Sequence, residues 1–133
     1  MKNKNLSGIP LEPKKINRFS VEFPEKFNIE VWSVSKLNKP IYNNGKWEKI
    51  KIEFVDPIGP STSQGLFKMI KHLDDGLGFT FKINTLDPTG EVIEIWEIDT
   101  KKVLVNFGYL DYSIDEWQKP FIVVKPLKCK LVF

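Results

Sequence analysis

The side chains of this 133-residue chain able to do acid–base, nucleophilic or metal chemistry are few and scattered. His72 is the only histidine and Cys129 the only cysteine, 57 positions apart, which is poor material for a zinc site. His72 lies among Lys71, Asp74 and Asp75 near a helix end, where a solvated or dipole-stabilising role is expected. Cys129 has no partner for an intrachain disulfide and sits in an apolar terminal stretch, so it reads as a small buried hydrophobe in a reducing compartment. The neighbours Asp74 and Asp75, and Asp115 and Glu116, are able to attract a hard cation, but adjacent carboxylates at helix ends and turns are expected to serve solvation. Gly59, Gly76, Gly78 and Gly90 do not make the G-x-x-x-x-G-K-[ST] phosphate loop. Acid–base and nucleophilic catalysis need a polarised cluster, so the sequence predicts no enzyme, no metal and no cofactor.

The elements that would position any site are mostly strands. Phe19, Val21 and Phe23 alternate with Ser20 and Glu22, and residues 29–34, IEVWSV, read as a second strand with two apolar sides. Residues 37–46 are polar, carry Pro40 and the turn formers Asn43, Asn44 and Gly45, and read as a projecting loop or hairpin tip with Ile41 and Tyr42 near its middle. In residues 47–54, Ile50, Ile52 and Phe54 share one face, while Lys49, Lys51 and Glu53 share the other. One helix follows. Ser61 and Gln64 have capping-box spacing, Leu66, Ile70 and Leu73 recur along one face beside Phe67 and Met69, and Gly76 supplies the stop.

Residues 86–112 read as a hairpin. The turn LDPTG leads into EVIEIWEID, and a short polar turn joins that segment to KVLVNFGYLDY. Ile93 and Ile95 share one face and Trp96 and Ile98 the other; Val103, Val105 and Phe107 oppose Leu104 and Asn106. Neither side is cleanly wet, so something is expected to lie against both. A strand over 79–83 precedes this hairpin and two segments, from Pro120 and from Cys129, follow it. The expected fold is mainly β: an antiparallel sandwich or rolled barrel of about seven or eight strands with one flanking α-helix over about 61–75.

Length and composition fit one ordinary globular domain: 41% hydrophobic and 28% charged residues argue against disorder outside the N-terminus. Ten Phe, four Trp and three Tyr suit pleated surfaces. No stretch reaches the roughly 18 apolar residues of a membrane span, and MKNKNLSGIP lacks the apolar centre of a secretion signal, so a soluble chain is expected. Charge is uneven. Residues 1–18 hold five bases against Glu12, whereas residues 19–133 hold 15 bases and 16 acids. The division expected is a basic extended arm, 1–18, and a single β domain, 19–133. A basic arm suits nucleic acid or an acidic protein surface, and Ile9 and Leu11 favour docking on a partner over simple solvation. A small barrel binding nucleic acid through aromatics and lysines is a rival reading, weakened by a near-neutral body whose chain has Arg18 as its only arginine. A monomeric ligand-binding β-sandwich, with Trp32, Trp47 or Trp117 stacking on a sugar, is a third.

The order of elements carries a resemblance. The strand NRFSVEF, the pattern W-x-x-I-x-I-x-F over 47–54, a turn and one helix over 63–73, LDPTG-x-x-x-E-x-W, FG-x-LDY and a closing apolar strand follow one another through most of the chain. Together they resemble the tail-tube protein family of contractile-tailed bacteriophages and related injection machines. No single motif is diagnostic; order and spacing carry the likeness. It implies hexameric rings of identical copies that stack into a hollow tail tube, a structural virion part assembled in the host cytoplasm. Genomic DNA would pass through its lumen into the host without specific binding. Sheath, baseplate or tail-terminator proteins are the further partners implied. Contacts between subunits or rings would fall to Ile9, Leu11 and Arg18 of the arm, Lys39, Ile41, Tyr42 and Trp47 of the projection, and Trp96 and Leu104 of the hairpin. A weakly charged or acidic lumen suits passing phosphates, with Glu22, Glu53, Glu94 and Glu97 as the carboxylates that would face it. The chain lacks the insertions of better-known members, which leaves a tube subunit and a ring at the tube's end both open.

Deleting residues 1–18 is expected to leave a folded domain by circular dichroism while weakening self-assembly in sedimentation. A truncated chain that assembles as well as the full one but loses DNA affinity would favour the nucleic-acid reading.

Overall fold

The computed structural model describes residues 13–57 and 61–133. Eight strands and one helix occur in these residues: β1 (Phe19–Glu22), β2 (Val34–Leu37), β3 (Tyr42–Asn43), β4 (Lys46–Trp47), β5 (Ile50–Phe54), α1 (Thr62–Asp74), β6 (Phe79–Leu86), β7 (Val92–Asn106) and β8 (Phe121–Leu131). Six strands form one antiparallel sheet in the order β1-β6-β7-β8-β5-β2, which curls until it is nearly closed as a barrel. β3 and β4 make a separate small hairpin. The mainly β, antiparallel fold with one flanking helix is thus as the periodicity predicts.

The hairpin expected over residues 86–112 is not there. LDPTG joins β6 to β7, and β7 then runs unbroken for 15 residues, pairing with β6 along its first half and with β8 from Trp96 to Asn106. Turn chemistry explains the difference. Asp87 Oδ1 accepts from the Thr89 and Glu91 N–H groups and from the Thr89 hydroxyl, and Gly90 takes a φ of +89°, so LDPTG closes tightly. Thr100, Lys101 and Lys102 offer no such turn and form a bulge. Thr100 pairs with Pro126, Lys101 stands extra on β7, and Leu127 stands extra on β8. The buried Thr100 hydroxyl donates 2.8 Å to the Lys125 carbonyl, and its oxygen lies 3.3 Å from the Lys102 N–H. The bulge reverses which side chains point inward: Ile98 and Thr100 do so before it, Val103 and Val105 after it. The two C-terminal segments are likewise one strand, β8, in which Ile122 and Val124 point inward before the extra residue and Cys129 after it.

The core fills the barrel. Phe23 stacks on Phe81 at 5.3 Å, and Phe27 meets Phe79 edge-on at 5.2 Å. Ile50, Ile52 and Phe54 of β5 are buried against them, as their spacing predicts. Of residues 29–34 only Val34 enters a strand. Ser33 turns back on the Glu30 carbonyl through both its N–H and its hydroxyl, leaving Trp32 exposed.

α1 places Leu66 and Met69 in the same core. Gly65 lets the helix approach the 3-10 turn at Glu25–Phe27: a Cβ there would fall 2.7 Å from the Phe27 carbonyl oxygen. The capping box does not form. Ser61 makes no side-chain cap; instead Asp56 accepts from the Thr62 N–H at 2.9 Å, the Ser63 hydroxyl at 2.7 Å and the Ser61 hydroxyl at 3.3 Å. A carboxylate reaching from the preceding strand's exit satisfies the helix start better than the local hydroxyl. Gly76, at φ +80°, ends the helix as expected, its N–H donating to the Leu73 carbonyl.

Asp56→Ala removes this cap and is expected to lower stability by about 1–2 kcal/mol in urea unfolding. Ser61→Ala, which removes no side-chain cap, is expected to change it much less.

Candidate functional site

His72 and Cys129 both take part in packing. His72 Nε2 lies 2.8 Å from the Gly78 carbonyl, to which it donates, and the ring meets Phe27 edge-on at 5.4 Å, bracing the end of α1. Burial and the nearby Asp99 charge push the Cys129 thiol up to about 11, so it stays protonated near neutrality. Among the described residues no three or more His, Cys, Asp or Glu side chains gather closely enough to hold a metal ion, and no helix is long and apolar enough to cross a membrane.

The surfaces where the sequence places subunit contacts have more definite geometry. At one corner of the barrel Glu94, its side chain 13% exposed, accepts from Lys14 at 2.8 Å and from Lys39, with the Thr85 hydroxyl at 3.3 Å. This couples the stretch before β1, the segment after β2 and the start of β7. Burial pushes the Glu94 carboxyl up, but the hydrogen bonds and charges of the two lysines outweigh it and hold the group at about 2. Arg18 lies beside this corner, its carbonyl accepting from the Leu86 N–H. Ile9 and Leu11 lie outside the described residues.

The projection predicted over 37–46 contains the β3–β4 hairpin, turned by Asn44 and Gly45 with φ of +51° and +80°. Ile41 and Tyr42 are exposed, while Tyr42 packs edge-on against Trp47 at 4.9 Å, and Trp47 in turn against Trp96 at 6.3 Å. Trp47 and Trp96 are therefore largely spent in seating the hairpin on the barrel, and Ile41 and Tyr42 at its base are the apolar side chains it presents. Leu104, on the outside of β7, is 56% exposed beside Val123, and on β8 the Phe121 ring lies under the Lys51 ammonium at 4.4 Å.

The four carboxylates separate. Glu22, Lys82, Glu97 and Lys130 form one cross-strand row over β1, β6, β7 and β8, alternating in sign on the outside of the barrel. Glu22 also accepts from Asn84 at 2.6 Å. Glu53 lies outside β5, 3.9 Å from Lys51. Glu94 points the other way, into its lysine niche. Only Glu22 and Glu97 are brought together.

Sequence reasoning missed the connection from β7 to β8. FGYLDY was expected to continue a strand, yet residues 107–120 form a loop that exposes Tyr109 (70%), Leu110 (82%) and Trp117 (85%). The signals were present: Asn106 accepts from the Gly108 N–H, Gly108 has a φ of +94°, and Asp111 accepts from both the N–H and the hydroxyl of Ser113.

No protein-family model matches the sequence, and no curated protein matches it. Among solved structures, the fold is similar to that of a chain in the cryo-EM structure of the anti-feeding prophage (AFP) baseplate, 6-fold symmetrised. The TM-score is 0.55 at 13% identity, over 91% of this chain and 96% of that one. The likeness is one of fold.

A carboxyl held below its ordinary 4.5 stabilises the folded chain above that pH and loses the contribution as pH falls toward about 2. Glu94→Gln is therefore expected to flatten the fall in melting temperature between pH 4.5 and 2 relative to the unsubstituted chain. Identical acid profiles would show that the lysine niche adds nothing to stability.

Proposed function

We propose that this chain is a non-catalytic structural subunit of a contractile injection machine or phage tail, closing with identical copies into a hexameric ring. The ring stacks as part of the hollow tube or sits at its baseplate end, and the assembled particle is where the protein acts. The observation that carries this reading is apolar surface that the described residues leave uncovered on a small barrel whose core is already complete: Leu104 outside β7, Ile41 and Tyr42 at the base of the hairpin, and the aromatic loop 107–120. A small monomer seldom leaves so much apolar surface open, and a symmetric ring covers it with copies of itself.

Three further features support it. The fold is similar to that of a chain in a 6-fold symmetrised baseplate over nearly the length of both. The barrel leaves β1 and β2 as edge strands, which neighbouring copies are able to cover. The row Glu22, Lys82, Glu97 and Lys130 is balanced in charge, as suits a wall that DNA passes without sticking. In this reading DNA is cargo, and sheath or baseplate proteins are neighbours.

Purified protein examined by negative-stain microscopy and sedimentation is expected to show rings with six-fold views or stacked tubes. A single-copy species persisting at high concentration would overturn the reading.

A further inference from the structure

The nearly closed barrel has a seam between β1 and β2. One end is drawn together by the Val21 N–H donating to the Val31 carbonyl at 3.2 Å. The other opens as a groove of about 910 Å³ whose walls include Ile16, Arg18, Phe19, Trp32, Lys36 and Leu37. Lys14, Lys15 and Lys39 line the adjoining hollow of about 280 Å³, so the whole depression has an apolar floor and a basic rim. Glu94 beside it holds Lys14 and Lys39, and Asp87 serves its own turn, so Lys15, Arg18 and Lys36 are the bases that keep the rim positive.

The loop over residues 107–120 has the opposite character. Its exposed large side chains are apolar or aromatic, and Asp111, Asp115 and Glu116 stand against the single base Lys119. Apolar anchors flanked by acids match an apolar floor flanked by bases in both terms that govern docking. The loop does not fill its own groove. None of residues 107–120 lines either hollow, and the loop joins the far ends of β7 and β8 from the Leu86–Gly90 turn that borders the groove.

From this placement we infer that the acidic, aromatic loop of one copy docks in the basic seam groove of the next, making a directional contact that closes the ring. Two different patches of one molecule form a head-to-tail contact, which yields a ring when the rotation closes. The inference rests on the ring reading and adds which surfaces meet.

The test uses the full chain and two reversals at exposed or rim positions: a loop variant, Asp115→Lys with Glu116→Lys, and a groove variant, Arg18→Glu with Lys36→Glu. Each alone sets like charges together and is expected to raise the concentration needed for assembly about tenfold or more. Mixed in equal amounts, the two are expected to recover assembly, because each reversed loop then meets a reversed groove; rescue also shows that both variants fold. If the unsubstituted chain forms rings and either variant alone does so equally well, or the mixture is not rescued, this contact is overturned while the ring reading stands. If the unsubstituted chain stays single, the ring reading itself fails and takes this contact with it.

Discussion

The bulge shared by β7 and β8 is the constraint on which the rest of the molecule depends. The two strands run 15 and 11 residues through the middle of the sheet, and a flat pair of that length would not wrap a small core. One extra residue on each strand, Lys101 and Leu127, bends them at the same level and reverses which side chains face inward. Without the reversal, Leu104 would enter the core and Val103 and Val105 would leave it. The buried Thr100 holds the bend through its hydroxyl, and the chain leaving α1 packs directly on it: a Cβ at Gly78 would fall 2.6 Å from the Thr100 carbonyl oxygen.

Bending the sheet sets what lies at its ends and edges. The phenylalanine cluster and α1 complete the interior with this chain's own residues, while Trp47 and Trp96 seat the hairpin and the Glu94 niche ties down the stretch before β1. Curling also brings the edge strands β1 and β2 together without fully joining them. The molecule is complete inside, its core filled by its own residues, while its seam, the base of its hairpin and its β7–β8 loop keep apolar surface exposed. That division is what the proposed ring requires, since a copy with a complete core can fold before it meets another.

Much of this was legible in the residues. The period-two patterns of β1 and β5, the apolar stripe of α1, the Asn44-Gly45 turn and the Gly76 stop are local signals, decided within a few residues of backbone by sterics and hydrogen bonding. The surplus of two-sided apolar segments was also visible, and the exposed apolar side chains outside the barrel are where part of it lies.

What the sequence determined by itself, then, is which segments are pleated or helical and that too much apolar surface exists for one wet face per strand. Only the tertiary structure decided how that surface divides between core and outside. The bulge at Thr100, the cap on α1 supplied by Asp56, and the pairing of Glu94 with Lys14 and Lys39 each depend on groups that meet only after the chain has folded. A β-strand's inward face is set by register against its neighbours, and one inserted residue reverses it, so no local pattern reports the outcome.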